Sequence, residues 1–516
     1  MSKLSRCLSF VILSTVFLMF GCAGVSTVTS TTPPATTPPV TPPPPAASYQ
    51  IVTISDLHFN PLYDPSLFSQ LVAATPSQWG GIYQTSGVAY PSAGGTDTNY
   101  LLLMATLTSM KKNMGNSPVI LFTGDLLGHN IQKNYCTIYL TAHSSLVNNA
   151  TLANCIATQS TAIQAFINNT FSFVALEIQT VLKSTPVIYA PGNIDTYEQN
   201  LGPNLNEWDL GPDTAFLQNN EATVWNQFLQ QQADPTFTNT FPTGGYYFFQ
   251  YVPKNSKTSP LRIVVLNSNS FVAGSPTYSN ASTELTWLGQ QLQAAQKAGQ
   301  EVWILMHVPP GENSQWIAQV APLPQDVPDV ESNPEFMMWD PTVQWTPTTP
   351  SFLQTLQQYP GVVTLMLAGH THMDEYRILA PGYVVEQLPG ISPCFGNNPA
   401  YKILTVTQNT FTPTDYQSFD LNQSYPLQFD ALYQFSTTYG AQSTLGSSLE
   451  VLYPKLNSIQ STQDMYTFLY SSGNNGVNPS TQQPWNPING ANWPIFGCTI
   501  GQETQAGYLT CVDPSQ

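Results

Sequence analysis

Six times along this chain a short run of aliphatic and β-branched residues stops at a polar cluster containing Asp, Asn or His. Residues 49–55 lead to Asp56 and His58, residues 118–123 to Gly124-Asp125, and residues 185–190 to Pro191-Gly192-Asn193. Residues 261–266 lead to Asn267-Ser268-Asn269, residues 301–306 to His307-Val308-Pro309-Pro310-Gly311, and residues 362–367 to Gly369-His370-Thr371-His372. Unbroken apolar runs of this length read as strands buried on both faces, the habit of sheets covered by helices. In open α/β sheets the loops leaving the C-terminal strand ends converge on one rim, so polar residues placed there meet although they are distant in sequence. The pattern predicts an α/β protein with a site on one edge.

Helices fill the gaps. Residues 99–112 are apolar enough for a core-facing helix. Over 282–298, Leu285, Leu288, Leu292 and Ala295 mark one face, and Gly299 is a natural C-terminal stop. Two intervals, 129–171 and 311–350, exceed simple connectors; the second carries Trp316, Trp339 and Trp345 among many prolines and reads as a substrate-side loop or cap. After about Pro413 a helical appendage is expected, with helices over 427–439, 448–459 and 462–470 and an irregular stretch over 474–493. No internal repeat is visible.

Composition sets the surroundings. The 516 residues include 13 basic against 30 acidic ones, a formal net charge of −17. That balance argues against stable binding to nucleic acid or charge-driven attachment to anionic lipid. A phosphate-bearing substrate would need local positive charge, which bound metal supplies. The N-terminus reads as an export signal: Lys3 and Arg6 precede the apolar run 8–20, and Met19-Phe20-Gly21-Cys22 resembles a bacterial lipobox. The expected organisation is a signal over 1–21, a Thr/Pro-rich tether over 22–47, a catalytic domain over 48–413 and the helical segment over 414–516. Lipidated Cys22 would anchor the protein to a cell envelope; ordinary secretory cleavage is the alternative. A monomer is expected. Of the remaining cysteines, Cys136 with Cys155 and Cys498 with Cys511 are the plain local pairs, leaving Cys394 over.

The polar clusters carry metal chemistry. An Asp-x-His at a strand end sets a carboxylate and an imidazole beside one ion, a carboxylate such as that of Asp125 can bridge two, and Asn193 offers a neutral oxygen. His307, His370 and His372 complete two shells of nitrogen and oxygen donors suited to Zn, with Fe or Mn as alternatives, rather than to Ca or Mg. Two ions about 3.5–4 Å apart clamp phosphate oxygens and generate a bridging hydroxide for in-line attack. Each fragment alone is commonplace, a turn or a hydrogen-bonded histidine. Their combination, in this order and each after an apolar run, is specific.

The ordered set resembles the calcineurin-like metallophosphoesterase superfamily. Within it the likeness is to acid sphingomyelinase and acid sphingomyelinase-like phosphodiesterases. It is carried by Gly124-Asp125 with His129 four positions after the Asp, by His307-Val308-Pro309-Pro310-Gly311, and by Gly369-His370-Thr371-His372-Met373-Asp374-Glu375-Tyr376. Asn398-Pro399-Ala400-Tyr401, Tyr439-Gly440, Phe468-Leu469-Tyr470 and the terminal cysteine pair extend it to the C-terminus. The resemblance implies a two-sheet β-sandwich flanked by helices. It assigns Asp56, His58 and His372 to one metal, Asn193, His307 and His370 to the other, and Asp125 as the bridge. It implies an exported phosphodiesterase acting on a phosphodiester or pyrophosphate of a phospholipid head group or nucleotide. A phosphomonoesterase or nucleotidase, and a surface protein that keeps the metals without turnover, are the alternatives.

One departure bears on catalysis. The family usually places His directly after the metal-binding Asn, whereas this chain has Ile194. His129 is then expected to carry the leaving-group proton, with Asp195 orienting it or a substrate group. Asp374 and Glu375 are candidates for orienting His370 or His372. His143 lies outside every motif and reads as a surface residue. Gly128 occupies the place where purple acid phosphatases put a metal-binding tyrosine, so that branch is not expected.

Overall fold

The computed structural model describes residues 47–142, 151–183, 185–197, 211–253, 259–273, 275, 277–422, 428–473 and 487–514. The signal, Cys22, the Thr/Pro tether up to residue 46, His143 and most of the expected irregular stretch lie outside them.

The apolar runs are strands. In chain order they are β1 (Ser48–Ile54), β2 (Ile120–Phe122), β3 (Val187–Tyr189), β4 (Tyr247–Tyr251), β5 (Leu261–Val265) and β6 (Val302–Leu305). A short ribbon, β7 (Gly311–Glu312) with β8 (Met337–Trp339), precedes β9 (Val363–Ala368), β10 (Glu375–Ala380), β11 (Tyr383–Gln387), β12 (Ala400–Thr407), β13 (Pro413–Asn422) and β14 (Gln428–Gln434). One six-stranded sheet has the order β14-β13-β12-β1-β2-β3, the other β10-β11-β9-β6-β5-β4. Within them β1, β2 and β3 are parallel, as are β5, β6 and β9.

The two sheets face each other because the strands of the second sheet alternate between two cores. Ile263, Val265, Trp303, Leu305, Leu365 and Leu367 share a core with the first sheet. Val264, Leu266, Ile304, Met306, Met366 and Ala368 point the other way, against Leu285, Leu288 and Leu292 of the helix Ala281–Ala298. A period of two over uniformly apolar strands is what a sheet buried on both faces requires. That helix stops where expected, at Gly299 in the left-handed conformation. The other expected helix runs Tyr100–Asn113, capped by the Asn99 side chain on the Leu102 amide. Both local disulfides form, Cys136 to Cys155 and Cys498 to Cys511, and Cys394 belongs to neither.

Two expectations change. The stretch read as a helix over 427–439 is mostly strand β14, with helix only over Phe435–Tyr439. Cross-strand partners decide this: Tyr433 packs against Tyr416 of β13 with ring centroids 5.6 Å apart, and their hydroxyls are 2.7 Å apart. Since β13 and β14 complete the first sheet, the helical segment starts at Phe435 rather than at 414, and Ala46–Gln516 is one compact unit. Trp339, in the interval read as a substrate-side loop or cap, packs inward. Trp339 is buried against Phe271 and Phe352 in the outer core of the second sheet, and its indole donates to the Val308 carbonyl at 3.0 Å.

A buried ion cluster ties β12, β14 and the loop before β10 together. Lys402 is fully buried; its ammonium lies 2.6 Å from Asp374, contacts Glu386, and sits 4.2 Å from the centre of the Tyr416 ring. Tyr433 adds a hydroxyl donated to Asp374 at 2.9 Å. Removing one partner strands the others without solvent. Lys402→Ala is therefore expected to lower the unfolding free energy by about 3–5 kcal/mol in urea titrations; a loss under about 1 kcal/mol would show that the cluster is solvated.

Candidate metal centre

The parallel strands deliver the polar clusters to one rim. Asp56 follows β1, Asp125 follows β2, Asn193 follows β3, His307 follows β6 and His370 follows β9. Five of the seven expected ligand residues leave their strands in the left-handed region: Asp56 at φ 48°, His58 at 43°, Asp125 at 57°, His370 at 76° and His372 at 62°. Such backbone is uncommon outside glycine, although Asp and His tolerate it better than most, and each instance costs about 1 kcal/mol or more. It persists because sheet and loop hydrogen bonds fix it; the Asp56 amide donates to the Gly124 carbonyl at 3.0 Å and that of His58 to the Asp125 carbonyl at 2.9 Å. Loops this close also demand glycine. A Cβ on Gly192 would come 1.9 Å from Asp125 Oδ1, and one on Gly369 would come 2.0 Å from Ser55 Oγ.

All seven side chains are buried and converge in two groups. Asp56, His58 and His372 form one set of donors within 4.8 Å of one another, and Asp125, His307 and His370 form a second. Asn193 Oδ1 completes the second, 2.7 Å from His307 Nε2 and 2.9 Å from His370 Nδ1. Asp125 Oδ2 stands between the groups, 3.4 Å from His58 Nε2 and 3.1 Å from His307 Nε2.

Hydrogen bonds on the outer edges of the rings set the inner chemistry. His58 Nδ1 faces the Leu127 carbonyl at 3.1 Å, His307 Nδ1 the Thr123 carbonyl at 2.7 Å, and His372 Nδ1 the Ser392 carbonyl at 3.0 Å. A carbonyl only accepts, so each Nδ1 carries a proton and each Nε2 is the ring atom turned inward. His58 Nε2 and His372 Nε2 thus point at one another from 3.1 Å. Two nitrogens held tetrahedrally on one zinc ion at about 2.0–2.1 Å would lie about 3.3 Å apart. Buried imidazole nitrogens and carboxylates converging in this way fit a cation. The cleft above them is lined by His58, Asp125, His129, Asn193, Ile194, His370, His372 and Phe395, with no Lys or Arg.

Without metal the charges settle unevenly. Burial alone would lower His307, but Asp125 and Asp56 raise it to about 9. Burial, helped by the His307 charge, lowers His370 to about 3, and burial lowers His372 to about 4 despite Asp56. Burial opposes the ionised form of Asp56, yet His372 and His58 bring it to about 2.

Asp195 does not orient His129. Its carboxylate is enclosed beneath the Asp125 loop, accepting from the amides of Asp125 at 3.2 Å, Leu126 at 3.1 Å, Leu127 at 3.2 Å and Gly192 at 2.8 Å, and from the Tyr189 hydroxyl. Burial and the neighbouring Asp125 charge raise it to about 6. It is a fastener for the loop that presents Asp125. The carboxylate on His129 is Asp97, which accepts from its amide at 2.7 Å and lies 2.8 Å from its Nδ1. The His129 ring stacks on His58 with centroids 4.1 Å apart. Nothing in the sequence near Asp97 marks it; it sits 32 residues before His129, just ahead of the Asn99 cap. Asp374 and Glu375 bond to other groups than the histidines they were expected to orient: Asp374 belongs to the Lys402 cluster, and Glu375 lies 3.9 Å from Arg377 and bonds to Thr371. Ile194 brings no proton donor, but its amide donates to Asp125 Oδ1 at 2.8 Å.

Two outcomes follow from this geometry. In chelated protein the raised His307 pKa favours the folded state in full below about pH 6.5, and that contribution is lost as pH rises through about 9. Thermal unfolding in EDTA should therefore show Tm falling over that window, and His307→Gln should flatten it; an unchanged slope in the variant contradicts the assignment. Gly192→Ala should abolish metal retention, read by metal analysis of the purified protein, because the new methyl group would occupy the Asp125 carboxylate position.

Comparisons with known proteins find phosphodiesterases among the relatives. No family model matches the chain. It is 23% identical over 361 residues to Sphingomyelinase phosphodiesterase C of Dictyostelium discoideum, covering 66% of each chain. It is 23% identical over 400 residues to Acid sphingomyelinase-like phosphodiesterase 3b of Mus musculus, covering 72% of this chain and 70% of that one. To the Cyclic GMP-AMP phosphodiesterase SMPDL3A of Homo sapiens it is 24% identical over 398 residues, covering 74% and 71%. Among solved structures, a dimetal phosphatase from Danio rerio aligns over 74% of this chain and 98% of its own at TM-score 0.37 and 11% identity. The donor set and these relatives together make the chain a metal-dependent phosphoric ester hydrolase, similar at low identity to the acid sphingomyelinase-like phosphodiesterases.

Proposed function

We propose that the protein is an exported phosphodiesterase that hydrolyses a phosphodiester or pyrophosphate, of a phospholipid head group or a nucleotide, at a two-metal centre. The observation that carries this reading is the pair of donor groups sharing Asp125, with imidazole nitrogens turned inward. Asp56, His58 and His372 would hold one ion, Asn193, His307 and His370 the other. Nitrogen and oxygen donors in these numbers suit zinc. When bound, such a pair neutralises phosphate oxygens and lowers the pKa of an attacking water.

The chain's own residues supply the rest. Asp195 and the Ile194 amide lock the Asp125 carboxylate in place. Asp97 holds His129 by its Nδ1 at the wall of the cleft, so the proton given to the leaving oxygen is placed on Nε2. Ile194 cannot supply it. Export accords with the two disulfides, and lipidation of Cys22 would keep the enzyme at the envelope.

Metal analysis combined with hydrolysis of bis-p-nitrophenyl phosphate and p-nitrophenyl phosphate tests the reading. Diester turnover abolished by chelation and by Asp125→Ala is expected. Turnover of the monoester alone, or bound metal without any turnover, would replace it. His129→Ala should lower diester turnover by about 10²–10⁴-fold with metal content unchanged, and Asp97→Asn should lower it less. Full activity in His129→Ala would remove that histidine from proton transfer.

A further inference from the structure

The metal cleft does not end at His129. That ring and Phe395 form a wall shared with a second, wider recess, to which Asn130, Lys133 and Asn134 add polar groups. The recess is open and hydrophilic, unlike a groove for an acyl chain. Its carboxylate, Asp97, is already engaged by the His129 amide and ring. Among the described residues lining the recess, Lys133, exposed on the first turn of the helix Ile131–Ala142, supplies the positive charge. This matters in a chain with 13 basic residues against 30 acidic ones, in which the metal cleft itself has no Lys or Arg. Arg377 and Lys402, by contrast, are buried in ion pairs.

We propose that this recess receives the leaving group and that Lys133 selects substrates whose leaving group bears its own anion, pyrophosphate-linked compounds above all. The proposal rests on the diesterase reading and on His129 as the proton donor. If His129 protonates the leaving oxygen, that oxygen lies against the shared wall and the group attached to it extends into the recess. Hydrolysis joins the water oxygen to phosphorus and breaks the bridging P–O bond. The bridging oxygen departs with the bonding electrons as part of the second phosphate and takes the His129 proton, while a water proton returns to the histidine or to solvent. Lys133 then faces a phosphate both before and after the bond breaks. Asn134 can donate to its oxygens, and the Phe395 ring gives a flat wall to whatever the phosphate carries. A neutral leaving alcohol makes no such contact.

The test compares kcat/KM for a dinucleoside pyrophosphate and for bis-p-nitrophenyl phosphate in the wild type, Lys133→Gln, Lys133→Glu and Lys133→Arg proteins. It also measures binding of the methylene-bridged analogue of the pyrophosphate by calorimetry. One exposed ion pair is worth up to about fivefold, so Lys133→Gln should lose about that on the pyrophosphate, Lys133→Glu more, and Lys133→Arg little. Bis-p-nitrophenyl phosphate should change less than about twofold, and analogue affinity should follow the pyrophosphate series. Equal losses on both substrates, no loss on either, or a wild type that cleaves only the aryl diester would each overturn the subsite and leave the diesterase reading standing. A wild type that cleaves no diester would overturn both.

Discussion

The structure depends on three hydrogen bonds that point away from its centre. The Leu127, Thr123 and Ser392 carbonyls hold the Nδ1 protons of His58, His307 and His372, and so turn three buried Nε2 atoms into the same small volume as Asp56 and Asp125. Two carboxylates enclosed with several imidazoles in a medium that solvates neither carry a desolvation cost, which a proton on His307 only partly relieves. Cations reverse the sign. The fold pays for the arrangement in advance with left-handed backbone at five donor residues and with loops packed so tightly that Gly192 and Gly369 admit no side chain.

Everything around the centre serves to hold that arrangement. The parallel strands set five loop origins side by side, and the sheets are anchored by cores on both faces of the second sheet. Beneath the Asp125 loop, Asp195 gathers four amides and a tyrosine hydroxyl. A carboxylate that binds its own backbone in this way fixes a loop more firmly than apolar packing would, because every donor it holds would otherwise be buried without a partner. Behind the His370 loop, Lys402 joins Asp374 and Glu386, and Tyr433 brings the edge strand β14 onto the same cluster.

The sequence shows the strands and the seven donors because both obey local rules: apolar runs give buried strands, and polar residues at their C-terminal ends meet at a rim. The helix Ala281–Ala298 and its Gly299 stop are legible for the same reason. What is not legible is set by contacts between distant residues. Asp97 reaches His129 across 32 positions with no motif around it. Asp195, adjacent in sequence to the cleft-lining Ile194, turns inward to the Asp125 loop instead. Strand β14 has apolar spacing that also suits a helix, and only its pairing with β13 decides the matter. The same applies to Trp339, whose proline-rich surroundings suggest a surface loop while its indole is bonded inside the second core.

Anomalous diffraction from crystals of the zinc-loaded protein at the metal absorption edge tests the central claim most directly. The account predicts two peaks, one enclosed by Asp56, His58 and His372, the other by Asn193, His307 and His370, with Asp125 between them. A single peak, no peak, or metal bound away from these residues would contradict it.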